Sequence, residues 1–362
     1  MQTHTPMTDH NPAQAIWSKR ASRVVLLLLL GCWLIALLIR LSIQDQTPLS
    51  GLIFYATPPL MLMITGLLLA FSFLKMRWRP EAASIAIAAC LAGQSYWSDL
   101  PQLWFHQVQQ SAGARNPVSD PQVSFSNHRE PQKLRLLFWN IGRGKAGLPR
   151  LAKEIQRYNA DVIGLVEGTL ATEEMRDFWT NAFPEYHFSQ LGGRFQLLTR
   201  FPVSDCTPGI VGDMCLYRRV DFQIGNEQVG LMLIDIESTP HKSRELTLTA
   251  LADYVAEDSS EKLILMGDFN TPDDSRHYAK LRELIPHHAF EQNGFGPHAT
   301  WPVPLPMMCL DQVWLKGFSA EQNLGTWHST SWLSDHRNVV VDLQLENAGT
   351  SESAFVTQNR SF

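Results

Sequence analysis

Polar and apolar positions divide this chain into two unlike parts. From Val24 to Ile39 almost every position is apolar, and a second apolar run extends from Leu52 to Leu74. Each is long enough to cross a bilayer as a helix, which needs about 20 apolar residues. A third run, Ala82 to Trp97, is shorter and richer in alanine, and by length it reads either as a span or as an interfacial or core helix. Residues 1–97 are thus expected to form a membrane region with two or three transmembrane helices. Residues 98–132 are polar, carry Pro101, Pro117, Pro121 and Pro131, hold no period, and read as a tether. From Lys133 onward short apolar runs alternate with helical patterns. Strands are expected over 134–140, 161–167, 196–199, 218–224 and 230–236, then from Leu263, over 310–315 and over 339–345. Helices are expected over 149–158, 172–182 and 244–257. Mixed strands with helices packed outside them predict a layered α/β domain over 133–345, a two-sheet sandwich. Residues 346–362 are polar and read as a disordered tail.

The chain's 362 residues and 45% hydrophobic content allow one large folded domain besides the apolar N-terminal region. A formal net charge of -5 argues against a surface built to track many phosphates, so nucleic acid is not the favoured partner. Basic residues flank the apolar runs: Lys19, Arg20 and Arg23 before the first, Lys75, Arg77 and Arg79 after the second. The positive-inside rule sets both groups on the cytoplasmic side. A third crossing then exports everything after residue 98, placing the folded domain outside the inner (plasma) membrane, in the periplasmic or extracellular space; without it that domain stays in the cytoplasm. Cys32 and Cys90 lie within apolar runs, while Cys206, Cys215 and Cys309 give the remainder an odd count. A Cys206–Cys215 bridge is reasonable only in an oxidising compartment. No Cys/His spacing suggests zinc. His287 and His288 read as exposed loop residues.

Chemistry enters at the strand ends. The apolar stretch Leu263-Ile264-Leu265-Met266-Gly267 delivers Asp268 and, two residues on, Asn270. Strand alternation would aim both at one place. Three further apolar strands carry polar groups at an end: Asn140 after Phe138-Trp139, Glu167 after Leu165-Val166, and Asp335-His336 ahead of Val339-Val340-Val341. Singly, each has a bland reading: Asn140 a turn former, Glu167 a solvated terminus, Asp268 with Asn270 an Asx-turn, His336 a surface histidine. Together, carboxylates and amides without His/Cys clusters favour a hard divalent cation, Mg2+ or Mn2+, held by one or two carboxylates and a substrate phosphate. In metal-assisted phosphoester hydrolysis Glu167 and Asp335 would be metal ligands and Asp268 the base that positions water. Asn140 and Asn270 would donate to phosphate, and His336 would meet the phosphoryl oxygens. Arg143 and Lys145, in a Gly-rich loop, and likewise Arg194 and Arg200, are either contacts for a substrate head group or solvated loop residues.

The chain resembles the endonuclease/exonuclease/phosphatase superfamily on Phe138-Trp139-Asn140, Val166-Glu167-Gly168, Gly267-Asp268-Phe269-Asn270, Leu310-Asp311-Gln312-Val313 and Ser334-Asp335-His336, in the expected order. The resemblance implies a DNase-like four-layer α/β sandwich and makes Asp311 the carboxylate that orients His336. Thr300-Trp301-Pro302 resembles a smaller bacterial branch whose members carry N-terminal membrane spans. Two positions depart from the pattern. Val166 stands where a Gln is usual, and in Ile234-Asp235-Ile236-Glu237 the acid Glu237 stands where the family carries a catalytic histidine. Glu237 would repel a phosphate unless a metal or proton intervened; it could instead recruit a second cation, with His241 as a substitute imidazole. The implied function is a membrane-anchored, Mg2+-dependent phosphoric ester hydrolase acting on a phosphomonoester, phosphodiester or pyrophosphate, lipid-linked substrates included. The alternatives are a nuclease or nucleotide phosphatase of the same fold, and a degenerate phosphate-ligand binding or regulatory membrane protein.

Overall fold

The structure, a computed structural model, describes residues 12–94, 133–239 and 242–345. The expected tether, His241 and the expected tail lie outside the described residues. The chain divides into two compact units, residues 1–45 with 49–97, and residues 46–48 with 98–362.

In the first unit α1 (Pro12–Leu38) runs on through a π-turn at Ile39–Ile43, and α2 (Pro48–Ala56), α3 (Pro59–Lys75) and α4 (Arg79–Ala92) follow. Arg20–Ile43 is the one helix among the described residues that is by itself long and apolar enough to cross a membrane. Leu52 to Leu74, read from the sequence as one span, is two helices bent by 69°. Pro58 and Pro59 fall at the bend, because proline lacks the N–H and crowds the preceding turn. It counts as a second span only if the bent pair crosses as one. The third run is described as a 14-residue helix, about 21 Å at 1.5 Å per residue. Trp33 Nε1 donates to Leu62 O at 2.9 Å, joining α1 to α3.

The second unit holds two sheets. One has the order β10-β11-β1-β2-β4-β3, built from β1 (Lys133–Asn140), β2 (Val162–Val166), β3 (His187–Gln190), β4 (Gln196–Thr199), β10 (Asn323–His328) and β11 (Val339–Gln344). The other has the order β5-β6-β7-β8-β9, from β5 (Thr207–Val211), β6 (Cys215–Ile224), β7 (Glu227–Ile236), β8 (Lys262–Asp268) and β9 (Asp311–Lys316). β1 and β2 are parallel, as are β7 and β8.

Alternation sorts the side chains into three cores. Leu136, Phe138, Leu231, Leu233, Ile264, Met266, Val339 and Val341 fill the space between the sheets. Their neighbours Leu137, Trp139, Ile163 and Val340 pack outward against α5 (Leu148–Gln156) and α6 (Glu173–Ala182). Met232, Ile234, Leu263 and Leu265 pack outward against α7 (Arg244–Glu257). Burial on both faces explains why β2, β8 and the stretch of β1 from Leu136 to Trp139 read as unbroken apolar runs. The result is helix, sheet, sheet, helix, the expected four-layer sandwich. Caps set the helix starts: Thr172 Oγ1 accepts from Met175 N at 3.2 Å, and Ser243 Oγ from Glu245 N at 3.3 Å.

Candidate active site

The polar strand ends meet at one edge of the space between the sheets. Leu233, Met266 and Val313 point into the inner core, so two-residue alternation turns Asp235, Asp268 and Asp311 the same way. Register aligns them: Asp235 stands opposite Asp268, and Asp268 opposite Asp311, on three adjacent strands. On the facing sheet Phe138 points inward and Asn140 follows it. Gly142 N donates to Asn140 Oδ1 at 3.0 Å, which leaves the amide nitrogen to face the acids. Asn140 Nδ2 donates to Asp268 Oδ2 at 2.9 Å and to Glu167 Oε1 at 3.2 Å.

His336 closes the group. Its Nδ1 lies 2.8 Å from Asp311 Oδ2 and its Nε2 lies 3.8 Å from Asp268 Oδ2. Trp139 Nε1 donates to His336 O at 2.9 Å, and Ser334 Oγ donates to Asn140 O at 2.7 Å, pinning the histidine's loop to the end of β1. Gly142 has φ +52, and a Cβ there would stand 3.3 Å from Asp335 Oδ1, so glycine admits that loop's approach. Burial opposes charge on His336, but Asp311 and Asp268 outweigh it and push the imidazole up to about 10. Burial raises Asp268 to about 6 against the pull of His336 and Asn140.

The other candidates are less central. Glu167 follows β2 with φ 46, a left-handed conformation costly for a non-glycine residue. Its peptide is held by Arg143 N donating to Glu167 O at 2.6 Å and Gly168 N donating to Arg194 O at 2.8 Å. Arg143 Nε is 3.6 Å from Glu167 Oε2, and the Arg143 side chain is 63% exposed. Asp335 is exposed and lines a cleft of about 370 Å3 with Lys145, Trp332 and Ser334. Asn270 lies beyond the end of β8 at φ 45, so alternation does not govern it. Its N donates to Asp268 Oδ1 at 2.9 Å and its Nδ2 to Ile236 O at 2.7 Å. The Asx-turn and the polar cluster therefore coexist. Arg200 bonds Asn159 and Tyr186 and pairs with Asp161, beside the start of β2 rather than its end.

Residues 137–336, more than half of the chain, match the sequence profile of the Endonuclease/Exonuclease/phosphatase family. The chain belongs to this family. Its sandwich is the family's DNase-like fold, and members are usually phosphoric ester hydrolases that depend on a divalent metal. No curated protein matches the chain. Among solved structures it is similar to an endonuclease/exonuclease/phosphatase family protein from Bacteroides thetaiotaomicron, at 15% identity and a TM-score of 0.49, over 60% of this chain and 100% of that one. It is also similar to D. rerio TDP2 complexed with single strand DNA product, at 18% identity and 0.44, over 58% and 98%. Sphingomyelinase C from Streptomyces griseocarneus follows at 16% identity and 0.45, over 59% and 100%.

One family expectation takes a different shape here. Glu237, which aligns with the family's histidine, follows the last residue of β7 and is 49% exposed; Thr239 donates to it and Lys242 pairs with it at 3.0 Å. Asp235, unassigned by sequence reasoning, is the acid of that strand that faces the site. Burial, then Asp268 and Glu167, raise it to about 7. Its signal was available: a lone acid in an apolar strand, two residues before the aligned position.

The donor set fits a hard divalent cation. Asp235, Asp268 and Asp311 lie in register on adjacent strands and Glu167 shares the Asn140 amide with Asp268, an all-oxygen set, while His336 is engaged by Asp311. Asp311 Oδ1 is buried with no hydrogen-bond partner. In-register like charges on neighbouring strands repel, and an oxygen-coordinated cation would offset that repulsion.

Two further expectations are corrected. Cys206 and Cys215 are free thiols, not a bridge. His288 is buried, with its ring edge-on to Trp314 at 4.8 Å, because the segment carrying it packs under β9. Thr300, noted only within a branch motif, holds the entry to β9 in place, since its Oγ1 accepts from Leu310 N and Asp311 N at 3.0 and 3.2 Å.

Proposed function

We propose that this protein is a membrane-anchored, metal-dependent phosphoesterase, with an anchor before residue 98 and a hydrolase unit over 133–345. The observation that carries the reading is the contact of Asn140 with both Glu167 and Asp268 while His336 stands between Asp268 and Asp311.

In this reading Glu167 would hold Mg2+ or Mn2+ with Asp235 beside it and Asp335 contributing from the rim, and Asp268 would be the base. When bound, the cation polarises a phosphoryl oxygen and acidifies water. Asp268 Oδ2 takes the proton of the attacking water. Asp311 keeps His336 protonated at Nδ1, leaving Nε2 to donate to a phosphoryl oxygen as negative charge builds. Asn140 keeps the two acids in place, and Asn270 commits one of its two N–H donors to Ile236 O, leaving the other for substrate. Arg143, whose Nε lies 3.6 Å from Glu167, and Lys145, which lines the cleft with Asp335, would meet the substrate's head group.

Anchoring at a bilayer raises the effective concentration of lipid-borne phosphate, which favours a lipid-linked phosphomonoester, phosphodiester or pyrophosphate. The test is a panel of water-soluble and lipid-linked phosphate esters, with DNA and RNA, assayed with Mg2+ or Mn2+. Hydrolysis abolished by both Asp268→Ala and His336→Ala is expected. Retained ligand binding without turnover on any member would favour a binding protein, and preferred hydrolysis of DNA or RNA with a steep salt dependence would replace the lipid substrate.

A further inference from the structure

A second group of metal-ligating side chains lies outside the acids just described. Asp273, His298 and Cys309 each offer a ligand atom within 4.8 Å of the others. His298 Nε2 stands 2.9 Å from Asp273 Oδ2. That nitrogen is buried and makes no hydrogen bond of good geometry, although it and the Asp273 carboxylate attract each other as charges. Two atoms that close without a well-formed hydrogen bond are what two ligands sharing a third centre would show, since each lone pair is then directed at the cation.

The donor types narrow the cation. Thiolate, imidazole and carboxylate together suit a borderline-soft ion such as Zn2+, whereas Mg2+ prefers oxygen alone. Burial pushes the Cys309 thiol up to about 12, so without a cation it stays protonated at neutral pH. Cys309 is 4% exposed, which argues against a nucleophilic role that needs access to substrate. A third imidazole is near: His288 is 1% exposed, interacts electrostatically with Asp273, and has a buried Nε2 with no partner.

We propose that Asp273, His298 and Cys309 form a second, structural cation site selective for Zn2+ over Mg2+, independent of the phosphoesterase reading. Its placement suggests its role. Asp273 lies five residues after Asp268, and Cys309 two residues before Asp311. His298 leads into Thr300, whose hydroxyl caps the start of β9. One ion there ties the exit of β8 to the start of β9, the strands that present Asp268 and Asp311.

The experiment strips the purified full-length chain with a chelator and titrates Co2+ in excess Mg2+, following absorption. One equivalent of Co2+ is expected to raise a near-ultraviolet thiolate-to-cobalt charge-transfer band that Zn2+ then removes. The band is expected to vanish in Cys309→Ser and to persist in a chain whose other four cysteines are serine. Absence of the band from the wild-type chain overturns the proposal without any variant. Persistence in Cys309→Ser overturns it too. If Cys309→Ser does not fold, the chain retaining only Cys309 decides: a band supports the site, and its loss refutes it.

Discussion

Individual side chains in this protein take their character from neighbours that the chain brings in from far away. Asp235 is the clearest case. Its folded value of about 7 lies above the ordinary carboxylate value of 3.8, so the folded state holds a proton that the unfolded state releases. Stability should therefore fall as pH rises from about 4 through 7. In chelator, Asp235→Asn is expected to raise the melting temperature at pH 8, with the gain shrinking towards pH 4 and on adding Mg2+; a melting temperature unchanged at pH 8 would count against the strain assigned to that acid. Asp311 makes a different demand. Asp311→Asn should lower kcat by about 10²–10⁴ while changing KM little, because it disturbs proton handling by His336 rather than binding. Steady-state kinetics on the best substrate of the panel check this. Of the candidate residues, Asn140, Glu167, Asp268 and His336 are legible in the sequence because each sits at the end of an apolar strand or just before one, whereas Asp311 comes from the family resemblance alone. Alignment places Glu237 at the family's histidine, whereas β7 ends at Ile236 and leaves the Glu237 side chain half exposed and paired with Lys242. Asp235 stands out in the sequence as a lone acid between Ile234 and Ile236, but its role depends on its pairing with Asp268 across β7 and β8.

Among the strands and helices, periodicity carried the reading well where both faces are buried. β4 and α7 occupy the expected residues, and β1, β2, β6, β7, β9 and β11 differ from expectation only at their ends. β3, β5 and β10 were not anticipated. β3 and β5 are half-buried to exposed edge strands whose partly polar sequences carry little periodic signal. β10 is interrupted by a register shift between Asn323 and Gly325, which breaks its alternation. Gly164 shows how tightly the sheets approach. A Cβ at this position in β2 would collide with Leu233 of β7 and Met266 of β8. Gly164→Ala should destabilise the fold by about 1–3 kcal/mol through overpacking. Urea unfolding followed by tryptophan fluorescence measures it, and an unchanged midpoint would refute so close a contact.

For the molecule in full, the apolar N-terminal region and the layered α/β unit are both visible in the sequence as changes in pattern, and family membership agrees with the second. Sidedness follows from the proposed third crossing: a reporter fused after Ser98 is expected to be active only outside the cytoplasm, and cytoplasmic activity would reverse the assignment. Substrate choice follows from the proposed anchor: release of phosphate from lipid-borne esters should exceed that from water-soluble analogues of the same head group. Hydrophobic period, strand ends and short motifs are local properties, so the chain alone specified the β and α segments, the apolar runs and the residue types able to handle phosphate. Distances between segments are not local. The aspartate row across β7, β8 and β9, the exposure of Glu237, the bend at Pro58-Pro59 and the meeting of Asp273, His298 and Cys309 arise from strand register and loop packing. Residues 11 to 25 positions apart in sequence carry no spacing that announces a shared centre, and only the folded chain brings their atoms within reach of one ion.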